Sequence, residues 1–245
     1  MRAFTRSPAT LIALASLLLT SLSCAGARVP EAGSDRDRRQ ELVRALETQG
    51  IRDSTTLAAL RRVPRHEFVP HAHRARAYEN RPLPIGHEQT ISQPYIVAFM
   101  TEAVRPRRGM NVLEVGTGSG YQAAVLADIG CRVYTIEIIG ELADSARERL
   151  QRLGYTDVQV RHGDGYAGWP EHAPFDAILL TAAPERVPPA LVAQLARGGR
   201  LVAPVGEEGA IQKLVLLEKD GQGKVTEKEL LPVRFVPMRG GTGKP

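Results

Sequence analysis

A chain of 245 residues has room for one large or two small domains, and its 43% hydrophobic and 24% charged residues are those of a globular protein. A net charge of +5, aromatics at 5% and basic residues that form no aromatic-interleaved stripe argue against a nucleic-acid partner. No His, Cys or carboxylate cluster has metal-site spacing, so no metal is expected.

The N-terminus has the anatomy of a signal peptide. Arg2 and Arg6 are followed by a nearly apolar run from Ala9 to Leu22, short for a membrane span, and then by small residues. Ala25-Gly26-Ala27 offers a small-x-small cleavage site, and Leu22-Ser23-Cys24 offers an imperfect lipoprotein site. Residues 1–27 are therefore read as a signal-like segment and 28–37 as a linker. The only cysteines are Cys24 and Cys131, and processing would remove or lipidate Cys24, so no disulfide framework is expected. Cys131, just before an apolar strand, reads as a small buried hydrophobe.

Two short helices follow, Glu41 to Gln49 and Thr55 to Arg62, the second with Ser54 as N-cap and Pro64 as its stop. The stretch from Arg81 to Tyr95 carries three prolines and a glycine, which forbid a continuous helix. Ile85, Ile91 and Tyr95 tie it to a core, so it reads as an ordered polar loop beside a site. Ser92 precedes a Pro-led helix from Pro94 to Val104, where it has the position of an N-cap as well as of a substrate-binding hydroxyl.

Val112-Leu-Glu-Val-Gly-Thr-Gly-Ser-Gly-Tyr121 then reads as a buried strand, a glycine-rich turn and the start of a helix. Gly116, Gly118 and Gly120 let a ligand approach the backbone, with Thr117 and Ser119 between them and Glu114 just ahead. The spacing is G-x-G-x-G, not the G-x-G-x-x-G of a dinucleotide fingerprint. The next strand, Arg132 to Glu137, ends in a carboxylate 21 residues after Gly116. Glu137 is placed to accept hydrogen bonds from both ribose hydroxyls of a nucleoside, with Ile138 beside it; a solvated surface carboxylate is the alternative.

A helix from Glu141 to Leu153 and a strand at Val158 to Val160 lead to His162-Gly-Asp-Gly165. There Asp164 is either a turn-former or an acceptor for an adenine amino group. Phe175 to Ala183 reads as a fully buried strand. Pro188 and Pro189 open a helix that runs to Ala196, Gly198-Gly199 reads as a turn, and Arg200 to Val205 as the next strand. Two further strands, the last including Leu230 to Val236, close in a hairpin, and the tail 239–245 is expected to be mobile. The whole is an α/β doubly wound, mostly parallel sheet with an antiparallel edge and a small N-terminal helical subdomain.

From about Glu41 to Met238 the chain resembles the protein-L-isoaspartate O-methyltransferases, a Rossmann-like class that uses S-adenosyl-L-methionine. The resemblance rests on Val63-Pro-Arg-His-Glu-Phe-Val-Pro70, Gln89-Thr-Ile-Ser-Gln-Pro94, Leu113 to Tyr121, Gly163-Asp-Gly165, Ala173-Pro-Phe-Asp-Ala177, Gly198-Gly-Arg-Leu-Val202 and Val233-Arg-Phe-Val-Pro237. One departure is Glu88, where the bacterial pattern has a second glycine in the loop. The resemblance implies a methyltransferase domain over 38–238, with 38–105 holding the helices and substrate loop. It implies methyl transfer to the α-carboxyl of isoaspartyl residues in age-damaged proteins and peptides, starting repair through a succinimide. Ser92 would hold the substrate carboxylate. Glu114, Gly116, Thr117, Gly118, Ser119, Gly120, Glu137, Ile138, Asp164 and Gly165 would hold the cofactor. The rival readings are a methyltransferase for small molecules and a non-catalytic nucleoside sensor. A monomer is expected. Cofactor supply favours the cytoplasm; the N-terminal segment favours the periplasm or envelope, with membrane contact only if Cys24 is lipidated.

Overall fold

A computed structural model describes Met1 and residues 34–241. The signal-like segment after Met1, its processing sites and residues 242–245 lie outside the described residues. Among the described residues no helix is long and apolar enough to cross a membrane.

The compact unit is built on a seven-stranded sheet in the order β5-β4-β3-β6-β7-β8-β9. Its strands are β3 (Asn111–Val115), β4 (Arg132–Glu137), β5 (Gln159–His162), β6 (Phe175–Leu180), β7 (Leu195–Val205), β8 (Gln212–Lys219) and β9 (Val225–Val233). The first five run parallel, and β8 and β9 form the antiparallel edge. The chain steps outward from β3 through β4 to β5, then returns to lay β6 against the other side of β3. That reversal opens a crevice at the carboxyl ends of β3 and β6, where doubly wound sheets place their ligands.

The sheet has apolar side chains on both faces, as β3 illustrates. Leu113 and Val115 pack with Ile136, Ile178 and Leu180 on one face. Val112 points to the other, where α4 (Tyr121–Ile129) and α3 (Pro94–Val104) supply Ala123, Val125, Leu126, Val97 and Met100. Glu114 shares the face of Val112 and is fully buried. The helices α5 (Gly140–Arg152) and α6 (Pro189–Gln194) complete the layers.

The helix α1 spans Asp35–Thr48, so it begins inside the stretch expected to be linker. Its start has local causes. The Ser34 hydroxyl accepts from Asp37 N, and Asp35 and Asp37 lie in the first turn, where acids suit the helix dipole. In α2 (Ser54–Arg62) the N-cap is Asp53, not Ser54; its carboxylate accepts from Thr56 N at 2.7 Å. The loop expected between Arg81 and Tyr95 contains a small hairpin, β1 (Leu83–Gly86) with β2 (Gln89–Ile91). Its tip puts His87 and Glu88 at φ 51° and 59°. A glycine takes that left-handed backbone without strain, which is what the second glycine of the bacterial pattern would supply. Gly198-Gly199 does not end a helix either: the chain is already extended from Leu195, and the pair sits where the β6–β7 register shifts. The last strand ends at Val233, before the expected Val236.

The N-terminal helices are joined to the sheet layers by polar bonds as well as apolar packing. The Glu102 carboxylate on α3 accepts from Arg52 N at 2.9 Å and Asp53 N at 3.3 Å, and Arg62 on α2 pairs with Asp128 on α4 at 2.5 Å. Removing the first of these tests how firmly the layers are coupled. Glu102→Ala is expected to lower unfolding free energy by about 1–2 kcal/mol in urea denaturation, since two charge-assisted bonds at a partly exposed site are lost.

Candidate functional site

Three strand ends converge on the crevice. After β3 the turn Gly116–Gly120 folds over the sheet edge, with positive φ at Gly116, Gly118 and Gly120. Gly116 N and Thr117 N both donate to Ile136 O, at 2.8 and 3.2 Å, which ties the turn to the end of β4. On the other side the Thr181 hydroxyl, just past β6, donates to Val115 O and Gly116 O. A Cβ on Gly116 would run into that hydroxyl, and one on Gly165 would run into Val115. These two glycines are therefore required by close approach, not merely tolerated.

Glu137 closes β4 and is buried. One carboxylate oxygen accepts from Gly118 N at 2.8 Å and the other from Ile139 N at 3.0 Å. Both oxygens keep further lone pairs for a ligand. Ile138 O is bonded by His162 Nε2 at 3.1 Å, so that histidine supports the wall of the site from β5.

Glu114 has the least expected environment. Its neighbour across β3 and β4 is Thr135, whose hydroxyl donates to Oε2 at 2.6 Å and lies 2.7 Å from the Thr117 hydroxyl. Oε1 is buried with no partner among the described residues. Burial above all, with the nearby Glu137 charge adding to it, pushes the carboxyl up to about 8 against the opposing pull of the Thr135 bond. The acid is therefore largely neutral at physiological pH. A buried carboxyl oxygen without a partner among the described residues, in a pocket that also carries Glu137, fits the ammonium group of a nucleoside cofactor.

The lining of this pocket includes Ser92, Glu114, Gly116, Thr117, Gly118, Ser119, Glu137, Ile138 and Gly165. Gly120 stands outside it, as the φ 84° N-cap of α4 packed on Leu150 and Ala146. Asp164 also stands outside; its two oxygens accept from Tyr166 N at 2.9 Å and Gly241 N at 2.7 Å. The Ser92 hydroxyl makes no cap bond: the N-cap of α3 is Gln93, and Pro94 leads the helix without a side-chain cap. The capping reading of Ser92 is thereby removed.

Other lining residues had no distinctive signal. Val236, Pro237 and Met238 form the far wall because Ala183 N donates to Val236 O and Met238 N to Ala183 O, each at 2.8 Å. Thr181 was findable in principle, since it follows a buried strand at the ligand end of the sheet. Arg239 lines the pocket too and pairs with Glu88 at 3.2 Å. Gly241 N donates to Asp164, so the first described residues of the tail contact both the hairpin tip and the β5 end.

Among the described residues no group of three or more His, Cys, Asp or Glu is placed to hold a metal. Cys131 is buried, and burial pushes its thiol up to about 12, as fits a packing residue. The state of Glu114 has a measurable consequence. With its folded value raised above an ordinary carboxyl, the native protein binds the extra proton between about pH 4.5 and 8, so stability contributed by this group falls as pH rises through that window. Glu114→Gln in the ligand-free protein is expected to flatten that part of the stability–pH curve, by an amount on the order of a few kcal/mol, as read by urea denaturation from pH 5 to 8.

Comparison with known proteins agrees with the geometry. The family profile of protein-L-isoaspartate(D-aspartate) O-methyltransferase matches residues 37–243. A protein-L-isoaspartate O-methyltransferase 2 of Syntrophobacter fumaroxidans is 52% identical over 235 residues, covering 92% of this chain and 95% of its own. One of the same name from Polaromonas sp. is 60% identical over 188 residues, covering 77% and 89%. A structure from Plasmodium falciparum bearing the same family designation, solved in complex with S-adenosyl-L-homocysteine, superposes with TM-score 0.71 at 25% identity over 82% of this chain and 98% of its own. The chain therefore belongs to the protein-L-isoaspartate(D-aspartate) O-methyltransferase family.

Proposed function

We propose that this protein methylates the α-carboxyl of L-isoaspartyl residues in damaged proteins and peptides, with S-adenosyl-L-methionine as donor, and that Ser92 holds the acceptor carboxylate. The observation that carries the reading is a junction. Thr90, Ser92, Thr181 and Val236 line both the cofactor pocket and a neighbouring groove of about 450 Å³. Ile96, Ile211 and Phe235 give that groove apolar sides, and Ile211 is 62% exposed. An exposed isoleucine at the rim is a contact for a partner larger than a metabolite, since sites for small molecules enclose most of their ligand.

The chemistry asks little of the side chains. An acceptor carboxylate is ionised at neutral pH, so no strong base is needed. Bound in the pocket, the cofactor supplies an electrophilic methyl group on a sulfonium leaving group. The Ser92 hydroxyl donates to one carboxylate oxygen and leaves the other free to form the C–O bond as the C–S bond breaks. Catalysis is then chiefly a matter of alignment and of fixed dipoles. Glu137 would accept from the ribose hydroxyls and Glu114 would take the methionine ammonium. Thr117, Ser119 and the backbone of the glycine turn would hold the methionine, and Ile138 and Gly165 the nucleoside. Asp164 stands outside the lining with both oxygens bonded to backbone and is given no part in holding the cofactor. The ester carbonyl loses methanol far more readily than a carboxylate loses hydroxide, so attack by the neighbouring backbone nitrogen closes the succinimide with release of methanol and needs no residue of this chain.

The protein is proposed to act as a monomer in the cytoplasm, where the donor is made. Fractionation with mass determination of the mature N-terminus tests this: a processed chain in the envelope would assign it there instead. Methyl transfer is expected to an isoaspartyl peptide and not to its aspartyl twin; equal transfer to small acceptors would favour the small-molecule reading. Ser92→Ala should lower kcat/KM by about 100-fold while leaving cofactor affinity unchanged, the signature of a lost alignment contact. Ile211→Asp should raise KM for peptides with apolar residues beside the isoaspartate several-fold and leave kcat alone, the behaviour of a lost uniform-binding contact.

A further inference from the structure

Arg65 belongs to the Val63–Pro70 motif, yet it does not line the cofactor pocket or the acceptor groove. It is a charged side chain with 0% exposure. Its Nε donates to Ala77 O at 2.9 Å and its Nη2 to Ser92 O at 2.8 Å. Its Cζ stands 4.9 Å from the ring centre of Tyr121, which does line the pocket. Among the described residues Nη1 is buried with no partner, and the titratable neighbours of the guanidinium are the phenols of Tyr121 and Tyr78, not a carboxylate. A guanidinium buried without an acid is a poor way to stabilise a fold; an apolar side chain of the same volume would do better. What the guanidinium alone provides is a rigid fork that spans two carbonyls from separate segments.

We propose that Arg65 is a positioning residue for methyl transfer: by gripping the Ser92 carbonyl while braced on Ala77 O and Tyr121, it sets where the Ser92 hydroxyl stands at the junction of pocket and groove. Ser92 lies between the end of β2 at Ile91 and the Pro-led start of α3, and its side chain makes no cap bond that would hold it. Arg65 anchors that short connector from below. The inference rests on the reading that Ser92 holds the acceptor carboxylate.

The test is a double-mutant cycle on the full-length chain with Arg65→Lys and Ser92→Ala. Lysine keeps a cation near Tyr121 but cannot span both carbonyls. Arg65→Lys is expected to lower kcat/KM for an isoaspartyl peptide by about 10- to 100-fold, as displaced alignment contacts do, with cofactor Kd unchanged within about 2-fold. In the Ser92→Ala background the same substitution should lower activity by no more than about 2-fold, because the hydroxyl it positions is already gone. The Ser92 backbone carbonyl survives in that background, so the loss of urea stability caused by Arg65→Lys should be the same in both. An equal fall in activity in both backgrounds would overturn the proposal and assign Arg65 to the fold. Full activity of Ser92→Ala alone would instead overturn the reading of Ser92 itself. If Arg65→Lys does not fold, Arg65→Gln is measured in the same two backgrounds; failure of both to fold also assigns the residue to the fold and overturns the proposal.

Discussion

The carboxylate of Glu137 joins two loops that the sheet alone would leave apart. It accepts Gly118 N from the turn after β3 and Ile139 N from the turn after β4. Parallel pairing of Val115 with Ile136 makes both turns leave the sheet on the same side, so one side chain can hold both. Such charge-assisted bonds contribute about 1.5–3 kcal/mol each when shielded from water. The opposite flank is closed by Thr181, whose hydroxyl meets the carbonyls of Val115 and Gly116. The glycine turn is thus clamped from β4 and from β6 by the protein's own groups. That is preorganisation in the sense that matters for a reaction governed by alignment.

Two ionisable groups of opposite sign, Glu114 and Arg65, are fully buried, each with an atom that has no partner among the described residues, and they respond differently. Glu114 moves toward neutrality, because desolvation acts on a carboxyl whose strongest helper is a threonine hydroxyl. Burial also lowers the Arg65 guanidinium, to about 10, but it stays charged at neutral pH. A cation bound beside Glu114 would draw its carboxyl back toward the charged form, since an opposite charge within a few ångströms favours ionisation. Arg65 has no such freedom, and its constant charge and planar fork suit a structural grip rather than a switch.

The hairpin at Leu83–Ile91 and the segment 236–241 approach from opposite ends of the chain. Glu88, at a left-handed position that would favour glycine, meets Arg239 there, and Gly241 N meets Asp164. Exposed ion pairs of this kind contribute about 0–1 kcal/mol. Their interest is spatial, because both segments line the pocket at the strand ends.

Much of the site was legible in the residues. The buried run at Val112 to Val115, the glycines after it and the carboxylate closing the next strand are short-range patterns, and short-range patterns follow from backbone sterics and from period. The doubly wound class with its antiparallel edge followed from alternating strands and helices, whereas the strand order, with β6 laid on the far side of β3, is seen only in the folded sheet. The errors were local competitions among near-equal choices: Asp53 over Ser54 as cap, Ser34 starting α1 early, extended backbone through Gly198. Burial and pairing between distant segments had no such trace. That Thr135 stands opposite Glu114, that Val236 bonds Ala183, and that Arg65 reaches Ser92 across 27 residues depend on register and packing. The pKa of Glu114 depends on them as well, because desolvation and hydrogen bonding are properties of the space around a group, and the chain creates that space only when it folds.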